Sequence, residues 1–537
     1  MSAVIEDVEL HPAEIDGYQI DITPQSGRIA ALINGVVVAE SANTLVLRET
    51  FLPPGFYFPR EDVDQKLLQR SEFRTFCPFK GTASHWSITT PDGVIENAAW
   101  SYDRPLSVGV PLGGYICFYD NKIDEWQGDD GMLAIKNEAP VSHPGSFALA
   151  NWVIAEAWTA RDATDLTQRL AQRLIDTGVP LMRMNIGIWT LHPQLINAGY
   201  NWHRDHDSVH TYNSPRGILE SEAYLRSPVR YVTEGLGGAR QRLDVDNPEF
   251  QFPVMTDLRA EGATDYVAMP LTFSDGQINS LTLATDHPDG FRVANLGQFY
   301  VALPMLSRLY EVFTLRQNTS VLLDTYLGAR TGQRVLNGLT QRGDGETIHA
   351  VLWFCDLRGS STMADNMPRD AFLEDLNEFF DAMAGPILEQ GGEVLRFIGD
   401  AVLAIFPTDD DGRSTGAGAV ARTCYTALDA VSEAERRLKV LNQNRADSGK
   451  DALGYGIGLH LGEVTYGNIG TPDRLEFTVI GAAANEAARI EGLCKELDTP
   501  VLISASFAAA FPEPLTSKGS HDLRGVDQPM EVFTLPR

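Results

Sequence analysis

The chain has 537 residues, 21% of them charged, and a formal net charge of −29 at pH 7. At about 150 residues per domain this length predicts three or four domains, and the acidic balance argues against nucleic acid or an anionic membrane surface as partner. No apolar run approaches the roughly 18 residues of a membrane span, nothing resembles a signal peptide, and five scattered cysteines without a C-x-x-C pair favour reduced thiols in a cytoplasmic protein.

Residues 1–145 are predicted to form a β-rich domain. Short alternating runs such as GVVVAESANTLVLRET (35–50), SHWSITT (84–90) and GGYICFY (113–119) are separated by Pro, Gly and Asp turns. The strings LVLRETFLPPGFYFPREDV, TFCPFKGTASHWSI, ENAAWSYDRPL and FYDNKIDEW together resemble the family catalogued as domain of unknown function 427. The resemblance implies a small β-rich fold and supplies no mechanism.

Six side chains of this domain could line a pocket for a small ligand. Tryptophan and cysteine in a compact β domain are more often core residues, so we favour packing over binding for this set. The set is Arg60, Cys77, Lys80, Trp86, Trp100 and Glu125.

Residues 146–302 alternate helical and strand patterns and are predicted to form an α/β domain. The run ATDLTQRLAQRLIDTG (163–178) places Leu166, Leu170 and Leu174 on one helix face, and PLMRMNIGIWTLHP follows as a buried strand. The order of an amphipathic helix, strands and a closing helix resembles GAF-type sensory domains. This resemblance implies a regulatory domain that receives an unknown small-molecule or protein signal.

Three histidines in NWHRDHDSVH, namely His203, His206 and His210, are spaced for one face of a helix and could hold a metal ion. The Asp, Asn and Ser content of the segment indicates a loop instead. We favour the solvated loop.

Residues 303–342 are predicted to form a helical linker. Leu306, Leu309, Phe313 and Leu323 recur at three- and four-residue steps, except for one longer gap, which suits a parallel coiled coil in a dimer. The same helix could instead close the preceding domain, and the two interpretations are compatible.

Two segments after the linker end an apolar, strand-like run in an aspartate. They are FCDLRGSS (354–361), with Asp356, and FIGDAVLAIF (397–406), with Asp400. Carboxylates beside a Gly/Ser-rich turn suit Mg²⁺ held next to phosphates, because hard cations prefer oxygen ligands and the turn offers backbone N–H groups. Two such residues predict a two-metal site, whereas each alone could be an ordinary turn or cap aspartate.

A third segment, LEFTVIGAAANEAARIEGL (475–493), runs from a strand into an Ala-rich helix that carries Asn485 and Arg489 on one face. The order F-x-D-L-R-G-S-S, GD-A-V-L-A-I-F, GIGLHLGEVTYGNIG, T-V-I-G-x-x-x-N-x-x-A-R resembles the class III nucleotide cyclase catalytic domain. We place this domain at 343–537. The resemblance implies an α+β, ferredoxin-like fold, and TYLGARTGQRVL in the linker resembles the transducing segment that precedes many bacterial cyclase domains.

The resemblance implies that the ribose 3′-hydroxyl of a nucleoside triphosphate attacks its own α-phosphorus. Asp356 and Asp400 match the ligands of two Mg²⁺ or Mn²⁺ ions per active site, with the Leu357 carbonyl as a further ligand. The N–H groups of 358–361 would face the phosphates, which brings in Gly359, Ser360 and Ser361.

Three further residues match family positions that contact the substrate. Asn485 matches the residue that orients the ribose, and Arg489 matches the arginine that stabilises charge at the α-phosphate. Arg524, in DLRGVDQPMEVFTL, stands where a basic residue for the terminal phosphate is usual, although a lone basic residue before a glycine turn is commonly only solvated.

Base selection departs from the commoner Lys and Asp pair, because those positions hold Arg396 and Thr478. Thr478 fits the adenine-selective members that use a hydroxyl, and Arg396 keeps a positive donor with a longer, planar fork. Guanylate-specific members carry a Glu at the lysine position and nothing acidic occurs there. We therefore expect ATP, with GTP as the alternative.

In this family each site is built across a head-to-tail homodimer. We expect the two metal aspartates and Arg396 from one chain, and Thr478, Asn485 and Arg489 from the other. The sequence thus predicts a soluble, sensor-regulated adenylate cyclase. The alternatives are a guanylate cyclase, a nucleotide-binding module without turnover, and a two-metal phosphatase or polymerase, which no His-rich or basic template surface supports.

Overall fold

The chain folds into two compact units, Met1–Asn318 and Thr319–Arg537. Our computed structural model describes residues 18–140, 148–246, 249–408, 417–524 and 528–536. The break between the units falls inside the predicted linker at 303–342, whereas the predicted boundary between residues 145 and 146 lies outside the described residues. The division into four parts therefore stays a prediction.

The first unit begins with an eight-stranded antiparallel sheet, which confirms the predicted β-rich domain. Its strands lie in the order β4-β5-β6-β7-β3-β2-β1-β8, with the short helix α1 (Asp130–Lys136) after the last of them. Their bounds are β1 (Ile20–Ile33), β2 (Val36–Glu49), β3 (Leu52–Pro59), β4 (Leu68–Cys77), β5 (Gly81–Thr90), β6 (Gly93–Ser101), β7 (Tyr115–Phe118) and β8 (Glu125–Gly128).

Half of the six candidate pocket residues of this domain are buried. Cys77 and Trp86 belong to hydrophobic clusters, and the Lys80 ammonium forms a buried ion pair with Glu49. The Tyr18 hydroxyl donates to the same carboxylate at 2.7 Å. A buried charge needs such partners, so Lys80 is held as part of the packing. These contacts support the core interpretation.

The rest of the first unit is a six-stranded antiparallel sheet in the order β11-β10-β9-β14-β13-β12, flanked by helices. The predicted helix face is confirmed, because Leu166, Leu170 and Leu174 are fully buried. The likeness to GAF-type domains stays a prediction. The elements are α2 (Ala148–Ala155), α3 (Ala163–Asp176), β9 (Arg183–Trp189), β10 (Leu195–His203), β11 (His210–Pro215), α4 (Glu222–Leu225), α5 (Pro228–Thr233), β12 (Ala239–Arg242), α6 (Val254–Ala260), β13 (Asp265–Thr272) and β14 (Ile278–Thr285).

The three histidines lie around the β10–β11 hairpin and not on a helix. His203 ends β10, His210 begins β11, and His206 lies in the connection, with its ring centroid 5.2 Å from that of His203. Within the described residues, no group of three or more His, Cys, Asp or Glu side chains is arranged to hold a metal ion.

The long helix α7 (Val293–Leu327) carries two apolar stripes. Leu306 and Phe313 are buried and Leu309 packs against the same hydrophobic cluster, so the closing-helix interpretation holds for this stripe. A second stripe, which we call the exposed seam, follows the a and d positions of a heptad. Its members are Val312, Leu315, Leu322 and Tyr326, with exposed fractions of 44, 59, 37 and 80%.

The second unit is built on an eight-stranded, mainly antiparallel sheet in the order β16-β17-β15-β18-β20-β22-β21, with β19 also paired to β18. Helices cover it, as expected for an α+β fold. The bounds are α8 (Ala329–Leu336), β15 (Gly345–Arg358), α9 (Ser360–Asn366), α10 (Arg369–Glu389), β16 (Glu393–Ile398), β17 (Ala401–Pro407), α11 (Ala417–Asp447), β18 (Gly454–Thr471), β19 (Arg474–Ile480), α12 (Ala482–Glu496), β20 (Val501–Ser504), α13 (Ala505–Ala510), β21 (Thr516–His521) and β22 (Met530–Thr534).

Helix α8, in the predicted transducing segment, is connected to the sheet of the second unit by hydrogen bonds among three buried residues. The hydroxyl of Thr331 donates to Glu393 Oε1 at 2.6 Å and its N–H donates at 3.1 Å. The Tyr466 hydroxyl donates to Glu393 Oε2 at 2.6 Å and lies 2.8 Å from the Thr331 hydroxyl. We call Thr331, Glu393 and Tyr466 the Glu393 cluster. It ties α8 to β16 and β18.

None of the helices in the described ranges is both long and apolar enough to cross a membrane. Each of the five cysteines is buried and carries a free thiol.

Candidate active site

The two predicted metal aspartates lie side by side where β15 ends and β17 begins, in the sheet of the second unit. Asp356 lies near the end of β15 and pairs with Ala401, so Asp400 in the tight turn before β17 lies beside it. Burial, followed by a hydrogen bond and the negative charge of Asp400, raises the pKa of Asp356 well above its usual range. The neighbouring carboxyl group thus opposes the ionised form of Asp356.

This arrangement fits a divalent cation. Two carboxyl groups that repel each other lose that repulsion when a cation lies between them, and their oxygens are the ligands that Mg²⁺ and Mn²⁺ prefer. Asp356, Asp400 and the carbonyl of Leu357 would hold the metal, and the remaining ligands would come from substrate or water. That each active site binds two metal ions stays a prediction.

A third carboxylate near the metal aspartates was not predicted from the sequence. Glu491 on α12 is buried and its Oε1 lies 3.2 Å from Arg358 Nη2. Burial raises the pKa of Glu491, Arg358 lowers it, and Asp400 raises it. Gly456 on β18 makes room for this pair, because a Cβ there would overlap both partners.

The predicted phosphate loop leads directly from β15 into α9. Gly359 has φ +76°, a left-handed conformation that favours glycine, and it is the N-cap residue of α9. Among the described residues no side chain caps this helix start, so the first N–H groups, including those of Ser360 and Ser361, would be available to an anion.

The predicted base-selecting residues line one cavity of about 540 Å³. Arg396 comes from β16, Thr478 from β19 and Asn485 from α12, and Thr478 is only 7% exposed. Within one copy the structure thus groups Arg396 with Thr478 and Asn485, whereas we expected Arg396 to act with the metal aspartates across a dimer, and the division between two chains stays a prediction. The pairing of β19 with β18 brings Thr478 to this position, and β16 and β19 are also in contact.

An acidic residue enters this cavity from a position that the sequence analysis did not consider. Glu476 lies two residues before Thr478 on β19, lines the cavity, and forms an ion pair with Arg396 Nη2. Strand alternation places residues two apart on one face, so the sequence did contain a signal for Glu476.

The last two predicted substrate contacts, Arg489 and Arg524, are not among the residues that line the base cavity. Arg489 is half-buried on α12 and Arg524 is exposed after β21. In the described part of the chain, neither side chain forms a hydrogen bond or ion pair, and Asp356 and Asp400 do not line the base cavity.

Two segments of the chain match known families. Residues 346–535 match the adenylate and guanylate cyclase catalytic domain, and residues 21–129 match a domain of unknown function, DUF427. Both resemblances drawn from the sequence are thereby confirmed. The match to the cyclase catalytic domain lies within the second unit.

Among similar proteins, an adenylate cyclase of Anabaena cylindrica is 34% identical over 190 residues, or 35% of this chain and 35% of that protein. Adenylate cyclase 2 of Rhizobium meliloti is 29% identical over 234 residues, or 42% of this chain and 58% of that protein. The chain thus spans less than two thirds of either relative. The solved adenylyl cyclase CyaB of P. aeruginosa is 24% identical with a TM-score of 0.32, covering 36% of this chain and 96% of that one.

Proposed function

We propose that the protein is an adenylate cyclase that converts ATP into 3′,5′-cyclic AMP and pyrophosphate. The observation that carries the proposal is the meeting of Asp356 and Asp400 at one sheet edge, within residues that match the cyclase catalytic domain. In the reaction the 3′-oxygen forms a bond to the α-phosphorus, the bond to the β-phosphate oxygen breaks, and the hydroxyl proton leaves to solvent.

The side chains of this chain supply binding and orientation. When bound, Mg²⁺ or Mn²⁺ lowers the pKa of the attacking hydroxyl and neutralises the triphosphate. The N–H groups from Gly359 onwards hold phosphate oxygens, Asn485 orients the ribose, and Arg489 faces the charge that develops at the α-phosphate. Arg524 would contact the terminal phosphate.

We further propose that a homodimer completes each site. Asp356 and Asp400 of one copy would face the base cavity and Arg489 of the other. Exposed apolar side chains adjoin both groups in the sequence, with Phe397 and Ile398 just before Asp400 and Ile480 just after Thr478. Side chains of this kind favour burial against a second copy.

The first unit would regulate the reaction in response to a small-molecule or protein signal. We place the protein in the cytoplasm because its five thiols are free. Its acidic charge gives no support for nucleic acid or an anionic membrane as partner.

Product identification tests the proposal. Purified protein is incubated with ATP or GTP and Mg²⁺ or Mn²⁺, and the products are separated and identified by mass spectrometry. We expect cyclic AMP, lost when EDTA is added. Cyclic GMP as the main product would establish the guanylate alternative, and nucleotide binding without either product would establish the inert module.

A further inference from the structure

The base cavity holds one carboxylate that no known role accounts for. We propose that Glu476 is a specificity-determining residue, which restrains the Arg396 guanidinium and thereby disfavours guanine. The inference rests on the proposed cyclase function and adds a residue to its base recognition.

The contact between the two side chains is direct. Arg396 Nη2 is paired with Glu476 Oε1, and the two side chains are 36 and 53% exposed. Glu476 lies nearer the solvent than Thr478, which is 7% exposed. One terminal nitrogen of the arginine is therefore held by a carboxylate inside the cavity, before any base enters.

The remaining donors of Arg396 decide which purine edge it can serve. Its Nε is buried and has no hydrogen-bond partner within the described residues. A buried donor of this kind favours a ligand that brings an acceptor. A single N–H suits one ring nitrogen acceptor of adenine, and the Thr478 hydroxyl can accept a hydrogen bond from the adenine amino group.

Guanine requires more of the arginine. An arginine typically reads guanine by a bidentate contact to O6 and N7, which uses two donors of the planar fork. Glu476 occupies one of the two N–H groups of Nη2, which reduces the number of free donors and restrains the orientation of the planar fork. The ion pair therefore disfavours the two aligned donors that guanine needs, whereas the single donor that adenine needs remains.

A second arginine, Arg474, also lines the cavity, and its positive charge makes the negative charge of Glu476 more important there. Arg474 on β19 also borders the cavity, so without Glu476 two guanidinium groups would face the base with no carboxylate beside them. Such a site would favour the two acceptors of guanine. Glu476 neutralises part of that charge.

The test is the ratio of kcat/KM for ATP to that for GTP in the Glu476→Gln variant of the full chain. Glutamine keeps the size of the side chain but loses the charge, so we expect the ratio to fall by roughly tenfold, through a gain with GTP. Glu531→Gln, an exposed glutamate on β22, should leave the ratio unchanged. An unchanged ratio in folded Glu476→Gln protein overturns the inference.

A double-mutant cycle separates this role from a merely structural one. If Glu476 acts through Arg396, then Glu476→Gln should alter the ratio in the wild-type background and leave it unaltered in an Arg396→Ala background. An equal effect in both backgrounds contradicts the inference. Competition of ATP and GTP for a fluorescent nucleotide gives the ratio of their binding affinities without turnover, and we expect Glu476→Gln to shift that ratio in the same direction. Absence of cyclase activity would then refute the proposed function alone.

Discussion

At the scale of single residues, Asp356 and Asp400 place two carboxyl groups side by side, and a bound cation would remove the repulsion between them. Burial and the neighbouring carboxyl group both oppose the ionised form of Asp356. Unfavourable electrostatics of this kind is typical of functional sites, so substituting these residues should reduce turnover far more than it reduces the stability of the fold.

We expect Asp356→Ala and Asp400→Ala each to lower kcat by roughly 10²–10³-fold or more, because each removes a ligand from a site that works by charge neutralisation. Product formation and circular dichroism measure activity and fold. Asp365→Ala on α9, an exposed aspartate of the same region, is the matched control. Full activity in either ligand variant would rule out the metal assignment.

His460 on β18 predicts a pH dependence of stability. Burial lowers its pKa to about 4, although Glu486 Oε2 lies 3.4 Å from its Nε2 and would favour the charged form. In the unfolded chain the pKa is about 6.5. The unfolded state therefore takes up the proton first, and stability declines as the pH falls from 6.5 to 4, by up to about 3 kcal/mol.

The His460→Gln variant should lose this contribution, so its stability should decline less steeply over that pH range. Urea denaturation at a series of pH values gives the slope, and His521→Gln, at a half-buried position at the end of β21, serves as the control. An identical slope in His460→Gln and the wild type would show that His460 does not titrate in this way.

Local patterns predicted some site residues and missed others for a physical reason. Asp356 and Asp400 each follow an apolar strand, so their chemistry is visible in short segments. Glu491 is 135 positions from Asp356 and acts through packing of α12 on β18, which no local pattern reveals. The grouping of Arg396 with Thr478 likewise depends on strand pairing.

At the scale of elements, the Glu393 cluster connects α8, at the end of the helical linker, to β16, the strand that carries the proposed base-recognition residue Arg396. Glu393 and Arg396 are both on β16, three residues apart, and Thr331 of α8 holds the former. A buried carboxylate requires its partners, so a shift of α8 would disturb β16.

Thr331→Val removes the hydroxyl and keeps the size and the N–H contact. We expect it to lower the local opening free energy of β16 by about 1–3 kcal/mol, the usual cost of leaving a buried group unsatisfied, and to raise KM for ATP. Amide hydrogen exchange followed by mass spectrometry measures the first effect. Thr340→Val, at an exposed position after α8, is the control, and unchanged exchange at 393–398 would contradict the link.

Helical periodicity predicted the buried face of α3 correctly, and of the two interpretations of the α7 stripe the structure supports the closing helix, while the coiled coil stays a prediction. The helix has apolar residues on two faces, and spacing alone does not tell which face packs on its own domain. Leu306 and Phe313 turned out to face the core, and the exposed seam faces outwards.

At the scale of the whole molecule, the proposed site combines two groups of residues, and within the described residues Asp356 and Asp400 are not among those that line the base cavity. A heterodimer can therefore carry one intact site and one site with both lesions. Such behaviour distinguishes a shared site from a site complete within one chain.

Inactive Asp356→Ala mixed with inactive Arg489→Ala should regain activity. With random pairing half of the dimers are mixed and each has one intact site of two, so recovery should reach about a quarter of wild-type activity. Asp356→Ala mixed with Asp400→Ala should stay inactive, since both lesions fall in the same half. Failure of the first mixture, with mixed dimers demonstrated, would exclude the shared site.

Under the proposed function, the exposed seam on α7 would affect how much cyclic nucleotide a cell makes. In an enzyme whose active site needs two copies, dilute chains pair rarely, and output then grows with the square of the amount of protein. If the apolar seam with Val312, Leu322 and Tyr326 mediates pairing, it would set the protein concentration above which output becomes simply proportional to the amount of protein. Expression level would then be an input to the signal, alongside any signal that the first unit receives.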